Sequence, residues 1–185
     1  VTFTTDSCSP FVLARKAGVS VKGKVASYNG SHDFTVTLYQ AGSETMVGTP
    51  LTVSGSGASG STEQEFTIPN VPKGTYDLVV TKSAHLKYTV KNVTVGNAPL
   101  DLTAMTGKAY QTITLLCGDI DGNGFINSTD LGIILKGQNY GKSTATAGDK
   151  AADLDGNGFI NSTDLGIVLQ GQHYGKSAVS VNFGG

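Results

Sequence analysis

The sequence predicts two modules of different class. An all-β, immunoglobulin-like sandwich is expected over residues 1–112, and a small all-α unit of two loop–helix repeats over 113–185. Three observations carry this. Short alternating runs of Val, Thr and Ile fill the first part, with turn-forming clusters between them. No stretch there sustains a capped helical period. The segment 118–143, GDIDGNGFINSTDLGIILKGQNYGKS, returns at 152–177 as ADLDGNGFINSTDLGIVLQGQHYGKS, offset by 34 residues and identical at 21 of 26 positions.

The strand-like runs are 19–26, 34–40, 51–54, 65–68, 75–81 and 86–95. Asn29-Gly30, Gly55-Ser56-Gly57 and Pro72-Lys73-Gly74 mark turns between them. Spacing and alternation fit a seven-strand sandwich with one polar face per sheet. The run 112–116, TITLL, is also strand-like and leads directly into Asp119, so a rigid junction without a flexible linker is expected.

Each repeat opens with D-x-D-G-N-G-F-I-N-S-T-D. In a twelve-residue loop, donors fall at positions 1, 3, 5 and 12, with a backbone carbonyl at 7 and a polar side chain at 9. A hard cation needing six to eight oxygens binds such a set. The candidate ligands are Asp119, Asp121, Asn123, the Phe125 carbonyl, Asn127 and Asp130, then Asp153, Asp155, Asn157, the Phe159 carbonyl, Asn161 and Asp164. Two calcium ions are expected. Position 12 is Asp rather than Glu, so each loop must close more tightly on its ion. No helix enters the first loop, so each repeat reads as a loop followed by one helix, with Asn127 or Asn161 as N-cap. On that helix Leu131, Ile134 and Gln138 share one face, as do Leu165, Val168 and Gln172. Two such half-hands can bury their apolar stripes only against each other.

The doubled D-x-D-G-N-G-x-I-N-S-T-D-L resembles the dockerin family over about residues 117–177. Dockerins are calcium-dependent modules that plug cellulosomal and related proteins into cohesin modules on a scaffold. The resemblance implies that Ser128, Thr129, Ser162 and Thr163 contact a cohesin. It adds Leu135, Lys136, Asn139 and Tyr140 from the first copy and Leu169, Gln170, His173 and Tyr174 from the second. The segment 66–80, FTIPNVPKGTYDLVV, is similar to carboxypeptidase-regulatory-like and Cna-B-like sandwiches and to the X modules that precede some dockerins. Together they imply an X-module–dockerin dyad of a polysaccharide-degrading, cellulosome-like system. It would be non-catalytic, extracellular or on a bacterial surface, monomeric in isolation, and would tether its parent protein through a cohesin. The alternatives are a carbohydrate-binding β-module carrying a dockerin, and a calcium sensor. Scattered tyrosines without any tryptophan weaken the former, and two methionines, neither in the repeats, weaken the latter.

Charge agrees with this division. Residues 1–117 carry nine Lys/Arg against seven Asp/Glu, and 118–185 carry four against seven, the acidity lying in the loops. No basic stripe suggests nucleic acid, and no apolar run approaches the ~18 residues needed to span a bilayer. Val1 begins no basic-then-apolar leader, so a mature fragment of a longer protein is expected. Cys8 and Cys117 are either a disulfide tying the N-terminal segment to the junction or two free thiols. His32, His85 and His173 have no metal-ligand spacing, and no nucleophile–base pattern appears. The G-K-S triplets at 141–143 and 175–177 follow helices rather than open them, unlike a phosphate loop.

Overall fold

A computed structural model of the protein describes residues 18–184. The first part is two sheets packed face to face. In one, β1 (Val19–Tyr28) lies antiparallel to β4 (Ser61–Val71) and is met in parallel by two short strands, β7 (Leu100–Asp101) and β8 (Ile113–Thr114). The other runs in the order β11–β6–β5–β2–β3, from β2 (Phe34–Gln40), β3 (Met46–Val53), β5 (Gly74–Lys82), β6 (Tyr88–Val95) and β11 (Val179–Asn182).

Alternation in the sequence decides which side chains enter the core. On β1, Val21 and Val25 point inward, whereas Lys22 and Lys24 point outward and pair with Glu65 and Glu63 across the ladder at 3.0 and 2.7 Å. Gly23 lies on the inner face, where a Cβ would strike the Phe66 ring, so the glycine makes room for that aromatic. The core continues through Phe34, Val36, Leu78, Val80, Val90 and Ile113. At the β4–β5 corner the Tyr76 hydroxyl donates to the Pro72 carbonyl at 2.8 Å, with Gly74 beneath its ring.

The second part is not the all-α unit that the repeats suggested. It holds two helices of eight residues each, α1 (Ser128–Leu135) and α2 (Ser162–Leu169), a two-stranded ribbon of β9 (Lys142–Ser143) and β10 (Phe159–Ile160), and β11. The helices stop at Leu135 and Leu169, a turn short of Gln138 and Gln172, because Lys136 and Gln170 leave helical geometry at ψ 136° and 133°. From there the chain is claimed by the opposite loop. The Gly141 amide donates to the Ile160 carbonyl, and Gly175 to that of Ile126, both at 2.8 Å. Each loop is thus laced to the far end of the other repeat, in a pseudo-twofold arrangement. The parallel pairs at β7, β8 and β11 also depart from a wholly antiparallel immunoglobulin-like sandwich.

The last residues return to the first part. Strand β11 pairs in parallel with β6, Val179 opposite Tyr88 and Val181 opposite Val90. In the other direction the β5–β6 turn enters the second part. Leu86 is buried in a second hydrophobic core with Cys117, Ile126, Ile134, Leu154, Ile160 and Val168. Backbone bonds of 2.8 Å, from Leu86 to the Leu116 carbonyl and from Gly118 to the Ala84 carbonyl, fix the turn there.

Candidate functional site

Both loops fold around converging carboxylates. In each, three aspartates bring one oxygen apiece within 4.8 Å of one another: Asp119, Asp121 and Asp130 in the first, Asp153, Asp155 and Asp164 in the second. Like charges at that separation repel by roughly 1–3.5 kcal/mol per pair between bulk water and a protein surface. The arrangement is unfavourable unless a cation neutralises it.

Local hydrogen bonding builds the shape. Asn127 accepts from the Thr129 amide at 2.8 Å and caps α1, while Asp130 reaches back to the Asn127 amide at 2.9 Å, completing a capping box. The other Asp130 oxygen accepts from the Ile120 amide at 2.7 Å, so this buried carboxylate ties loop start to helix start. Asp164 does the same with Asn161 and Leu154, at 2.8 and 2.7 Å. Asn123 and Asn157 accept from the amides of Phe125 and Phe159, both at 2.9 Å, turning those residues' carbonyls at loop position 7. Burial, opposed by backbone donors, pushes Asp119, Asp153 and Asp164 above the usual carboxylate range. One oxygen of Asp119 is buried without a hydrogen-bond partner. A buried acceptor left in that state costs about 1–3 kcal/mol. The donor set fits a calcium ion, which would take up that oxygen.

Beside the loops each helix presents an outward stripe. Ser128, Thr129, Gly132 and Leu135 are exposed on α1, as are Ser162, Thr163, Gly166 and Leu169 on α2, with Leu135 and Leu169 55% and 53% accessible. Tyr140 and Tyr174 are exposed beyond the helix ends, and Lys136 and Gln170 lie at the C-caps. Gly132 and Gly166 have open space where a Cβ would project, so a partner backbone can come close. They were missed in the sequence, where a glycine inside a helix reads as a weakness. Its repetition at the same helical position was the available signal.

Two expected contact residues point the other way. Asn139 is fully buried: its side-chain amide donates to the Ile133 carbonyl at 2.7 Å and its oxygen accepts from the Asp149 amide at 2.9 Å. His173 is only 4% exposed, its Nδ1 donating to the Ile167 carbonyl at 2.9 Å and its ring standing edge-on to Tyr28. Both satisfy a carbonyl at the end of their helix, which pulls them off the outer face. Burial lowers the basicity of His173.

Cys8 lies outside the described residues. Cys117 is buried, its Sγ 3.9 Å from the Leu154 carbonyl and its thiol pushed up by burial. Lys142 and Ser143 form β9, so the G-K-S triplet opens no helix.

Comparison with known proteins agrees with this geometry. The dockerin type I domain family matches residues 117–170. A chain from the crystal structure of a type II cohesin–X-dockerin complex of Acetivibrio cellulolyticus, an N-terminal interface mutant, superposes with a TM-score of 0.60. The match has 25% identity and covers 87% of this chain and 98% of that one. The C-terminal interface mutant of the same complex gives a TM-score of 0.59 at 24% identity, with the same coverage. No curated protein matches the chain. The chain therefore resembles an X-module–dockerin dyad along nearly its whole described length.

Proposed function

We propose that this protein is a non-catalytic, calcium-dependent docking module that binds a cohesin and so tethers its parent protein to an extracellular scaffold or cell surface. The observation that carries it is the pair of carboxylate clusters, each closing onto the start of a helix with an exposed Ser-Thr-x-x-Gly-x-x-Leu stripe. Calcium, when bound, would neutralise each cluster and hold the loop shut. Its ligands would be Asp119, Asp121, Asn123, the Phe125 carbonyl, Asn127 and Asp130, and the matching six residues of the second copy. The cohesin would meet Ser128, Thr129, Leu135, Lys136 and Tyr140, or Ser162, Thr163, Leu169, Gln170 and Tyr174. Short hydroxyls and glycines there permit close backbone approach, and Leu and Tyr supply the apolar contact.

In this reading the modules divide near residue 112, the second returning through β11 to complete the first one's sheet. The similarity to cohesin-bound X-dockerin chains supports the partner class. Among the described residues no helix is long and apolar enough to cross a membrane. A pull-down of the whole chain against immobilised type I and type II cohesins, with calcium and with chelator, tests the proposal. Calcium-dependent capture by one class is expected, and no capture by either class in saturating calcium would overturn it.

A further inference from the structure

We propose that the two calcium loops are unequal because the β-module shapes only the second. Asn29 and Gly60 act as positioning residues for loop two, so that ion binding there and docking of the modules strengthen each other, while loop one loads independently. This rests on the reading of both loops as calcium sites.

Sequence identity makes the asymmetry easy to isolate, because the twelve loop positions differ only at Ile120 and Leu154. In loop two the Asn29 side-chain amide donates to the Asp153 carbonyl at 2.8 Å, and the Gly60 amide donates to the Asp155 carbonyl at 2.6 Å. These are the backbones of loop positions 1 and 3. Asn29 is itself held, since its own amide donates to the Gly60 carbonyl at 3.0 Å and its side-chain oxygen accepts from Ser31 at 3.0 Å. It is buried and left-handed at φ 53°, as the tight β1–β2 turn requires.

The consequences appear in the loops. A Cβ on Gly156 would lie 2.5 Å from the Asn29 side-chain oxygen, whereas one on the equivalent Gly122 would meet nothing within 4 Å, although both glycines are left-handed. Asp155 is buried and its counterpart Asp121 is exposed. The Gly156 amide donates to one oxygen of Asp153 at 3.0 Å, while the corresponding oxygen of Asp119 is the one left without a partner. Loop one instead borders a cleft of about 550 Å³ lined by His85, Lys87, Asp119, Gly124, Phe125 and Ser177.

A loop whose carbonyls and first carboxylate are already fixed loses less freedom when an ion arrives, so it binds more tightly and releases more slowly. Linkage makes the coupling reciprocal: the factor by which docking raises affinity at loop two is the factor by which calcium there strengthens docking. Loop one lacks those two bonds to its first and third carbonyls; it meets the junction only across the cleft and through the Ala178 amide, which donates to the Gly124 carbonyl at 3.1 Å ahead of β11.

Calcium titration calorimetry on the full chain tests this in two backgrounds. D121A silences loop one and D155A silences loop two. Adding Asn29→Gly, which keeps the left-handed turn, should weaken the remaining site about fivefold in the first background, the loss of one net hydrogen bond. In the second background it should leave affinity within about twofold, because the Asn29 side chain bonds to Asp153 and Ser31 and not to loop one. Should Asn29→Gly not fold, G156A and G122A carry the same left-handed strain, but only G156A meets Asn29, so it should cost more at its own site. Exchange of the Gly60 amide gives an independent readout: calcium should slow it with loop two intact and not with loop one alone. Equal effects at both loops, or none, overturn the inference. Absence of calcium binding by the unsubstituted chain would overturn the calcium reading itself.

Discussion

Replacing Leu86 by alanine tests how far the two modules stand or fall together. Leu86 belongs to the β5–β6 turn, yet its side chain is 1% exposed within the core built from the repeats. Truncating a buried leucine costs 2–5 kcal/mol according to how far the cavity can collapse. Here its backbone is pinned by the bond to Leu116, and its neighbours Ile126, Ile134 and Val168 hang on loops and helices that calcium would hold in place. Little collapse is expected, so the loss should fall in the upper half of that range, about 4 kcal/mol, or roughly 8–16 °C in a chain of this size. Calorimetry in saturating calcium should show one transition for the wild type and two for L86A, because the repeats would melt ahead of the sandwich. Leu86→Met, which conserves volume, should cost under about 1.5 kcal/mol. A loss below about 1 kcal/mol for L86A with a single transition would refute the plug role.

Chelation should collapse the amide dispersion of residues 118–177 while β1–β5 resonances keep theirs; full dispersion without calcium would contradict metal-coupled folding. Magnetic resonance is the better probe because two eight-residue helices contribute little helical dichroism. Acid should destabilise the calcium-loaded junction through His85, whose Nε2 accepts from the Tyr28 amide and whose pKa burial lowers to about 3. Its contribution is complete above the unfolded value of about 6.5 and is lost as pH falls towards 3, up to about 2 kcal/mol by pH 5. Urea midpoints at pH 7.5 and 5.0 should differ, and His85→Gln should flatten the difference. Removing residues 178–185 uncovers the β6 edge and should cost about 1–3 kcal/mol from half-buried Val179 and Val181, read from denaturant unfolding. Placing arginine at Ser128 and Thr129 alone should leave cohesin affinity nearly intact, because the other helix offers the same stripe; only the double-helix replacement should abolish it. With Asn139 and His173 turned inward, Lys136 against Gln170 is the main difference left between the two faces.

Local chemistry was legible in the chain alone. A doubled loop with Asp, Asn and Gly at fixed spacing needs no tertiary knowledge to announce a cation site, since its ligands lie within twelve residues. Asn127 and Asn161 as caps, and the alternation of Val21 and Val25 against Lys22 and Lys24, follow from the same short-range rules. Distant contacts decided the rest. The helices end early because each repeat's tail pairs with the other's loop, which no single repeat contains. Asn139 and His173 turn inward because a helix-end carbonyl needs a donor, although their spacing along the chain suits an outer face equally well. Val179–Asn182 alternates as a strand should, but only the free edge of β6, some ninety residues earlier, gives it a place to pair. The near-identical loops become distinguishable only where Asn29 and Gly60 reach one of them, because identical sequences acquire different energies only from different surroundings.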